Sequence, residues 1–321
     1  MIHIANGDCT TALIRQAGID GVAAIWADVL YEGPVPGGLQ ERELREIRAN
    51  FLSDGEPNAY RRILSSLEET AAIVDRRSPD EELILWFEHD LFDQLALIHL
   101  LDRLAASPAG ASRAGLICIN AFPGRPSFKG LGELTPGELA TLLDTREPIT
   151  NRHFEVARRA WEAFRSSDPR AIEAVIVQDL SPLSFLGAAL RRYLEEFPST
   201  VNGLSRSEMR LLEIIETGPI ETWEVFPRMH EGETAYYITD SSLWDLALGL
   251  APLVSIEGEI RTSSSLPQAA IAITTSGRDA LEGRLDRVRV YGIDRWLGGV
   301  HLEGRGPMWR WNPVIERLAR S

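Results

Sequence analysis

Short, uninterrupted apolar runs alternate with stretches of helical spacing through the first 120 residues. The opening run IHIAN ends at Asn6-Gly7-Asp8 and is followed by TTALIRQAG, an order that reads strand, tight loop, helix. VAAIWADV is a second buried strand that delivers Asp28 near its end; it runs on through Leu30, Tyr31, Glu32, Gly33 and Pro34. Pro36, Gly37 and Gly38 then break the chain into a loop. Helices are predicted over 40–52 and 57–74, the second with Tyr60, Ile63, Leu64, Leu67 and Ala71 on one face. LILWFE at 83–88 is a third strand. It leads into HDLFDQLALIHLLDRLA, where Leu91, Leu95, Ile98, Leu101 and Leu104 mark an amphipathic helix. GLICIN at 115–120 is the fourth strand. Uniformly apolar strands alternating with helices predict an α/β fold, a small parallel sheet layered with helices on both faces.

The pattern then changes. Residues 131–200 read as a helical extension of a first domain spanning 1–130. One helix start is marked by Thr135-Pro136-Gly137-Glu138, with Thr at the cap, Pro first inside and Glu third. Small and polar residues at Ser199-Thr200-Val201-Asn202-Gly203 predict a boundary. Beyond it, helices at 205–216, 222–229 and 239–250 precede strands at 252–256 and 269–274 around a loop containing Ser263, Ser264 and Ser265. Three helices and a hairpin predict a winged-helix-like α+β domain over 201–321, closed by a further helix at 275–285 and ending in a Trp- and Gly-rich tail.

Composition narrows the function classes. The chain has 321 residues, enough for about two domains. At 44% hydrophobic and 25% charged residues it has the profile of a globular chain. Its formal net charge of −14 disfavours DNA binding, because a net field of that sign opposes phosphate contacts. Every basic residue but Lys129 is arginine, which leaves almost no candidate for Schiff-base chemistry. Two cysteines, Cys9 and Cys118, are too few for a zinc site or a disulfide framework, and both read as buried small hydrophobes. With no signal-like start and no apolar run long enough for a bilayer, the expected setting is the cytoplasm, without a membrane partner.

The strongest indication of a site is positional. Polar residues follow each apolar strand: Asn6, Gly7 and Asp8; Asp28 and Glu32; Glu88, His89 and Asp90; Asn120. The carboxyl ends of parallel strands share one edge, and ligands bind in the crevice there. Asp28, His89 and Asp90 are the candidate catalytic residues, with His89 and Asp90 managing a proton. Gly7, Asp8, Glu32, Asn120 and Arg125 are candidate ligand-binding residues at that edge. Asp8 and Asp28 are candidate ligands for a divalent metal, to which Glu88, His89, Asp90 and Asp93 add further donors. Asp8 and Asp90 equally suit capping of the helices they precede. A lone Gly7 lacks the three-glycine dinucleotide fingerprint, so an acidic edge suits a sugar, a nucleoside or a metal-bound ligand better than a bare polyphosphate. A second cluster, YGIDRWLGGVHLEGRGPMWRWNP, contains Trp296 and His301 as candidate ligand-binding residues; its rings and arginines fit either a binding platform or a packed seam.

HIANGDC, WADVLYEGPVP and LWFEHDLFDQL resemble the bacterial proteins grouped as the domain of unknown function 1835 family. LSRSEMRLLEII, ITTSGRDALEGRLD and DRWLGGVHL with WRW resemble the partner domain that commonly follows it. The resemblance implies no catalytic roles. Two functions are therefore expected from the residues: a small-ligand or nucleotide-related enzyme working at the carboxylate-lined edge, or a ligand-sensing regulatory or protein-binding module. In the second, the helix TDSSLWDLALGL, acidic and without Arg or Lys, suits a protein partner better than DNA.

Overall fold

All four apolar runs become strands, and the chain reverses direction across them at one place. A computed structural model of the chain describes residues 1–126, 128–258 and 266–321. It shows a mixed α/β fold divided into two units, Met1–Ala189 with Gly298–Val300, and Leu190–Leu297 with His301–Ser321. The division falls before Ser199–Gly203, the boundary expected from composition. Those five residues lie inside the second unit, where Thr200 N–H donates to the Trp311 carbonyl and the Asn202 amide to the Ala280 carbonyl.

The first unit opens with β1 (Ile2–Ala5), α1 (Asp8–Gln16), β2 (Val22–Ile25), the two-residue β3 (Gly33–Pro34), α2 (Glu41–Leu52) and α3 (Pro57–Asp75). It continues with β4 (Leu83–Glu88), α4 (Leu91–Ala106), β5 (Ala114–Ile119), α5 (Pro136–Thr141), β6 (Glu147–Pro148), α6 (Asn151–Phe164) and α7 (Arg170–Ile176). The sheet order is β2-β1-β4-β5-β6. The first four strands are parallel, with Ile4 beside Ala24, Ala5 beside Trp86 and Glu88 beside Ile119. The short β6 adds an antiparallel edge that the residue pattern did not announce. From β1 the chain steps outward to β2, then crosses back to place β4 on the other side of β1. The strand order therefore reverses between β1 and β4, and in open parallel sheets such a switch point is where ligands bind beyond the carboxyl ends.

Side chains alternate across each strand, so one face differs from the other. Ala5, Ile84, Trp86 and Ile117 join Ile14 of α1, Leu139 of α5 and Leu131, Leu134 and Leu142 in one core cluster. Leu85 and Phe87 point to the opposite face and are fully buried. The helix expected to be amphipathic, α4, is instead buried on nearly every side, because it packs against both β4 and α6. That setting drags Asp93 and Gln94 into the interior along with the leucines.

A charged group pins α2 to α4. Glu41 receives a hydrogen bond from Arg103 at 3.0 Å and lies 3.3 Å from His99, whose ring stacks on Trp161 at 4.5 Å. Burial pushes the Glu41 carboxyl up, but the hydrogen bond to His99 and the charges of His99, Arg103 and Arg45 outweigh it and hold it at about 2. A depressed carboxyl stabilises the fold above its unfolded value and loses that contribution as pH falls through the folded one. Urea titrations from pH 6 to pH 2 should therefore show wild type losing more stability on acidification than Glu41→Gln; parallel curves would remove this role for Glu41.

α8 (Leu186–Leu194) leads into the second unit, which contains α9 (Arg206–Ile214), β7 (Ile220–Glu221), α10 (Thr222–Met229), α11 (Asp240–Gly249), β8 (Val254–Gly258) and β9 (Ala269–Ile273). α12 (Thr275–Leu281), α13 (Arg287–Tyr291), β10 (Ile293–Gly298), β11 (Val300–Gly304), β12 (Trp309–Asn312) and β13 (Arg317–Arg320) complete the chain. β8 and β9 form the expected hairpin, and β7 adds to it in the order β7-β9-β8, an antiparallel sheet that makes this part α+β. The expected serine loop, Ser263 to Ser265, lies outside the described residues. Within the Trp-rich tail, buried Arg310 donates to both carboxylate oxygens of Asp286 and to the Ser199 carbonyl, so this arginine holds the second unit's own segments together. Among the described residues, no helix is long and apolar enough to cross a membrane.

Candidate functional site

Three carboxylates meet at the switch point. Glu88 is the last residue of β4, Asp90 caps α4, and Asp93 stands in that helix's first turn; one oxygen from each lies within 4.8 Å of the others. The local sequence explains the convergence. A strand running directly into a helix places the residues of the connection and the first turn around the strand's end. Asp90 Oδ1 accepts the Asp93 N–H at 2.9 Å, so the cap itself pulls Asp93 toward Glu88. From the neighbouring strand, Asn6 follows β1 and donates through Nδ2 to Asp93 Oδ2 at 2.8 Å, its own carbonyl accepting from the Thr10 hydroxyl at 3.2 Å. Glu88 Oε1 accepts the Leu131 N–H at 2.7 Å, at the head of a short turn spanning Leu131–Glu133. A Cβ at the preceding Gly130 would overlap the Glu88 carboxylate, so a glycine is needed for this approach.

Leu131 thus holds Glu88, the Asp93 amide holds Asp90, and Asn6 holds Asp93. Asp93 Oδ1 has no hydrogen-bond partner although the residue is fully buried. Glu88 and Asp90 reach the surface only slightly, at 7% and 9% exposure. Burial and the Asp90 charge push Glu88 up to about 7, against the Leu131 and Asn6 hydrogen bonds. Burial pushes Asp90 up to about 6 against the amides of Asp93 and Phe92. Burial and the charges of Asp90 and Glu88 raise Asp93 well above the usual carboxylate range. In the metal-free protein the three acids therefore keep protons at pH values where isolated carboxyls have lost them.

The rest of the edge is ordered around this cluster. Gln94 Nε2 donates to the Glu88 carbonyl at 2.7 Å, and the Cys118 thiol donates to the same oxygen at 3.4 Å. Burial and the Asp93 charge push that thiol far up, which makes it inert. Cys9, expected to be buried, is exposed. Compared with known proteins, the chain matches no family model and no curated protein.

The expected site residues separate into those the fold gathers and those it does not. Asp90 caps α4, as one reading of it expected, and also lies beside Glu88 and Asp93. Asp28 is removed from the metal and catalytic set, because both its oxygens accept from Arg48, at 2.7 and 2.9 Å. That arginine also donates to the carbonyls of Glu32 and Val29, so the Asp28 to Pro34 segment is a structural loop braced from α2. Asp8 is removed as a metal ligand too. It is exposed in the first turn of α1, Gly7 takes the cap position, and the oxygen cluster does not include it. Gly7 has extended backbone and open space where a Cβ would stand. His89 lies at the edge outside the carboxylate cluster, bonded to the Ile119 backbone and edge-on to the Phe185 ring. Asn120 is exposed just past β5. Arg125 donates through Nη2 and Nε to the two carboxylate oxygens of Glu138, at 2.7 and 3.2 Å, which pairs the charge proposed for an anion. In the second unit Trp296 and His301 stack at 4.5 Å, and His301 lies 2.8 Å from Asp294. Residue reading passed over Gln94, Cys118 and the Gly130-Leu131 turn. The available signal was two adjacent polar residues, Asp93 and Gln94, within the apolar first half of a helix.

Proposed function

We propose that the first unit is an enzyme for a small polar ligand, of the nucleotide or sugar class, bound beyond the switch point together with a hard divalent cation. The observation that carries this reading is the convergence of Glu88, Asp90 and Asp93 on one buried point, with Asp93 Oδ1 left without a hydrogen-bond partner. Buried charges are stable when paired or when they coordinate a metal, and the charges acting on Glu88 and Asp93 are those of other acids. An all-oxygen set of three protein ligands suits Mg2+ or Mn2+, which keep further positions for water and for ligand oxygens. The cation would also let an acidic edge accept a phosphate or a pair of sugar hydroxyls. On this reading the chain is a member of the domain of unknown function 1835 family and works in the cytoplasm.

Mn2+ titrated into the full chain by calorimetry should bind at one site and raise thermal stability, and Glu88→Gln should weaken the binding at least tenfold. A nucleotide or nucleoside added afterwards should stabilise the loaded protein more than the metal-free one. Equal Mn2+ affinity in wild type and Glu88→Gln, or no binding at millimolar Mn2+, overturns the reading.

A second reading rests on the second unit. The order α9, β7, α10, α11, β8, β9, with β9 between β7 and β8, supports a winged-helix-like module. Its third helix, α11, has Asp240 and Asp245 and no basic residue, which favours a protein partner over DNA. Retention of duplex DNA at low salt would reverse that preference.

A further inference from the structure

The second unit contains a cleft of about 420 Å³ that the carboxylate site does not use. Its apolar wall consists of Leu204, Met209, Met229, Tyr236, Ile238 and Trp311. All but Met209 are buried, so the wall is a preformed surface of thioether, aliphatic and aromatic groups. Beneath it Arg192 donates to Glu233 at 2.8 Å, to Glu196 at 2.6 Å and to Ser207 at 3.1 Å, with its guanidinium 4.9 Å above the Tyr236 ring. That arginine is engaged from several sides and serves as the floor.

The rim is different. Arg206 and Arg210 stand four residues apart on α9, which puts their guanidiniums on one face of the helix. Arg210 donates through Nη2 to the Arg228 carbonyl at 3.0 Å and has Glu213 and Glu231 nearby, both at 3.8 Å, too far for a hydrogen bond. Arg206 is bonded to Glu195, but its second terminal nitrogen stands 3.7 Å from Glu233. Arg206 and Glu195 thus close on one another, while Arg210 faces Glu213 and Glu231, and Arg206 faces Glu233, at ion-pair distance without a hydrogen bond. A purely anionic ligand would meet four glutamates, Glu195, Glu213, Glu231 and Glu233; a purely cationic one would meet Arg206 and Arg210.

We propose that this cleft binds a free α-amino acid with a large apolar side chain. Its carboxylate bridges Arg206 and Arg210, its ammonium lies against Glu231 and Glu213, and its side chain covers Met209, Met229 and Tyr236. A zwitterion satisfies both signs of rim charge at once, and its apolar part matches the wall. Binding here would give the second unit a sensing role separate from the chemistry of the first.

The test uses the full chain and calorimetry with methionine, leucine and phenylalanine, each beside its N-acetyl derivative and its decarboxylated amine. At least one free amino acid should bind, and both of its derivatives should bind about tenfold more weakly or not at all. Arg210→Gln, at a half-buried position, and Glu231→Gln, at an exposed one, should each weaken binding of the free amino acid about tenfold, with circular dichroism confirming that both variants fold. Glu88→Gln should leave it unchanged, which separates this site from the carboxylate cluster. No binding at 10 mM (roughly the weak limit of a specific small-ligand site), equal binding of the N-acetyl form or the amine, or unaltered affinity in both variants overturns the proposal.

Discussion

Asp93→Asn should make the metal-free protein more stable at pH 8 while abolishing its Mn2+ binding. Asp93 is fully buried beside Glu88 and Asp90, and burial and mutual charge raise all three acids. In the unfolded chain such carboxyls ionise near pH 4. A raised folded value means the stabilising contribution is present below pH 4 and is lost as pH rises through about 6 for Asp90 and about 7 for Glu88. Above that range the wild type carries a buried cluster of like charges. Asparagine keeps the shape, can still face Asn6 with a carbonyl oxygen, and removes one charge together with the unpartnered oxygen. A gain on the order of 2 kcal/mol at pH 8 is expected, shrinking toward pH 5, as read from urea midpoints in chelator. A variant that is less stable at both pH values, or whose gain does not depend on pH, would remove the electrostatic account. Stability given up for a cluster of this kind is what a functional site looks like in energetic terms.

Asp28→Asn should do the reverse. It should destabilise the protein by about 3 kcal/mol and leave Mn2+ binding to the folded protein untouched. Arg48 is 1% exposed, and its bidentate partner is Asp28. An amide can accept only one of the two donated hydrogens and brings donors of its own to face a guanidinium. The buried charge is then left without a counter-ion, and breaking such a pair costs more than the pair contributed relative to an apolar substitute. The carbonyls of Val29 and Glu32 still accept from Arg48, which keeps the loss to the lower part of the usual range. A shifted denaturation midpoint with unchanged metal affinity is the signature of a brace. Loss of Mn2+ binding in the folded variant would return Asp28 to the site.

These two aspartates mark how far the residues could be read without the fold. Asp28 stands just beyond an apolar strand and Asp93 in the first turn of the helix after one, so both were candidate metal donors. What separates them is Arg48, twenty positions along the chain from Asp28 and on a helix. No local pattern ties that arginine to Asp28 rather than to solvent. Asp93 was visible as an acid near Asp90, but its weight in the site comes from the packing of α4 between β4 and α6, which leaves it no route to water. Asn6 lay in the right place by position, and only the neighbouring of β1 and β4 gives it Asp93 as a partner. The cleft of the second unit had no motif at all. It needs α8, α9, the 229–238 segment and β12 to meet.

Local periodicity and strand composition determined the parallel layer, the order of helices and strands and the edge on which polar residues gather, because burial of apolar runs depends on near neighbours and on a repeat that the chain itself carries. Tertiary structure decided which acids converge, which is neutralised by a distant arginine, and how strongly each holds its proton. Those properties depend on contacts between residues far apart in the chain and on the exclusion of water around them, and no short stretch of sequence contains either.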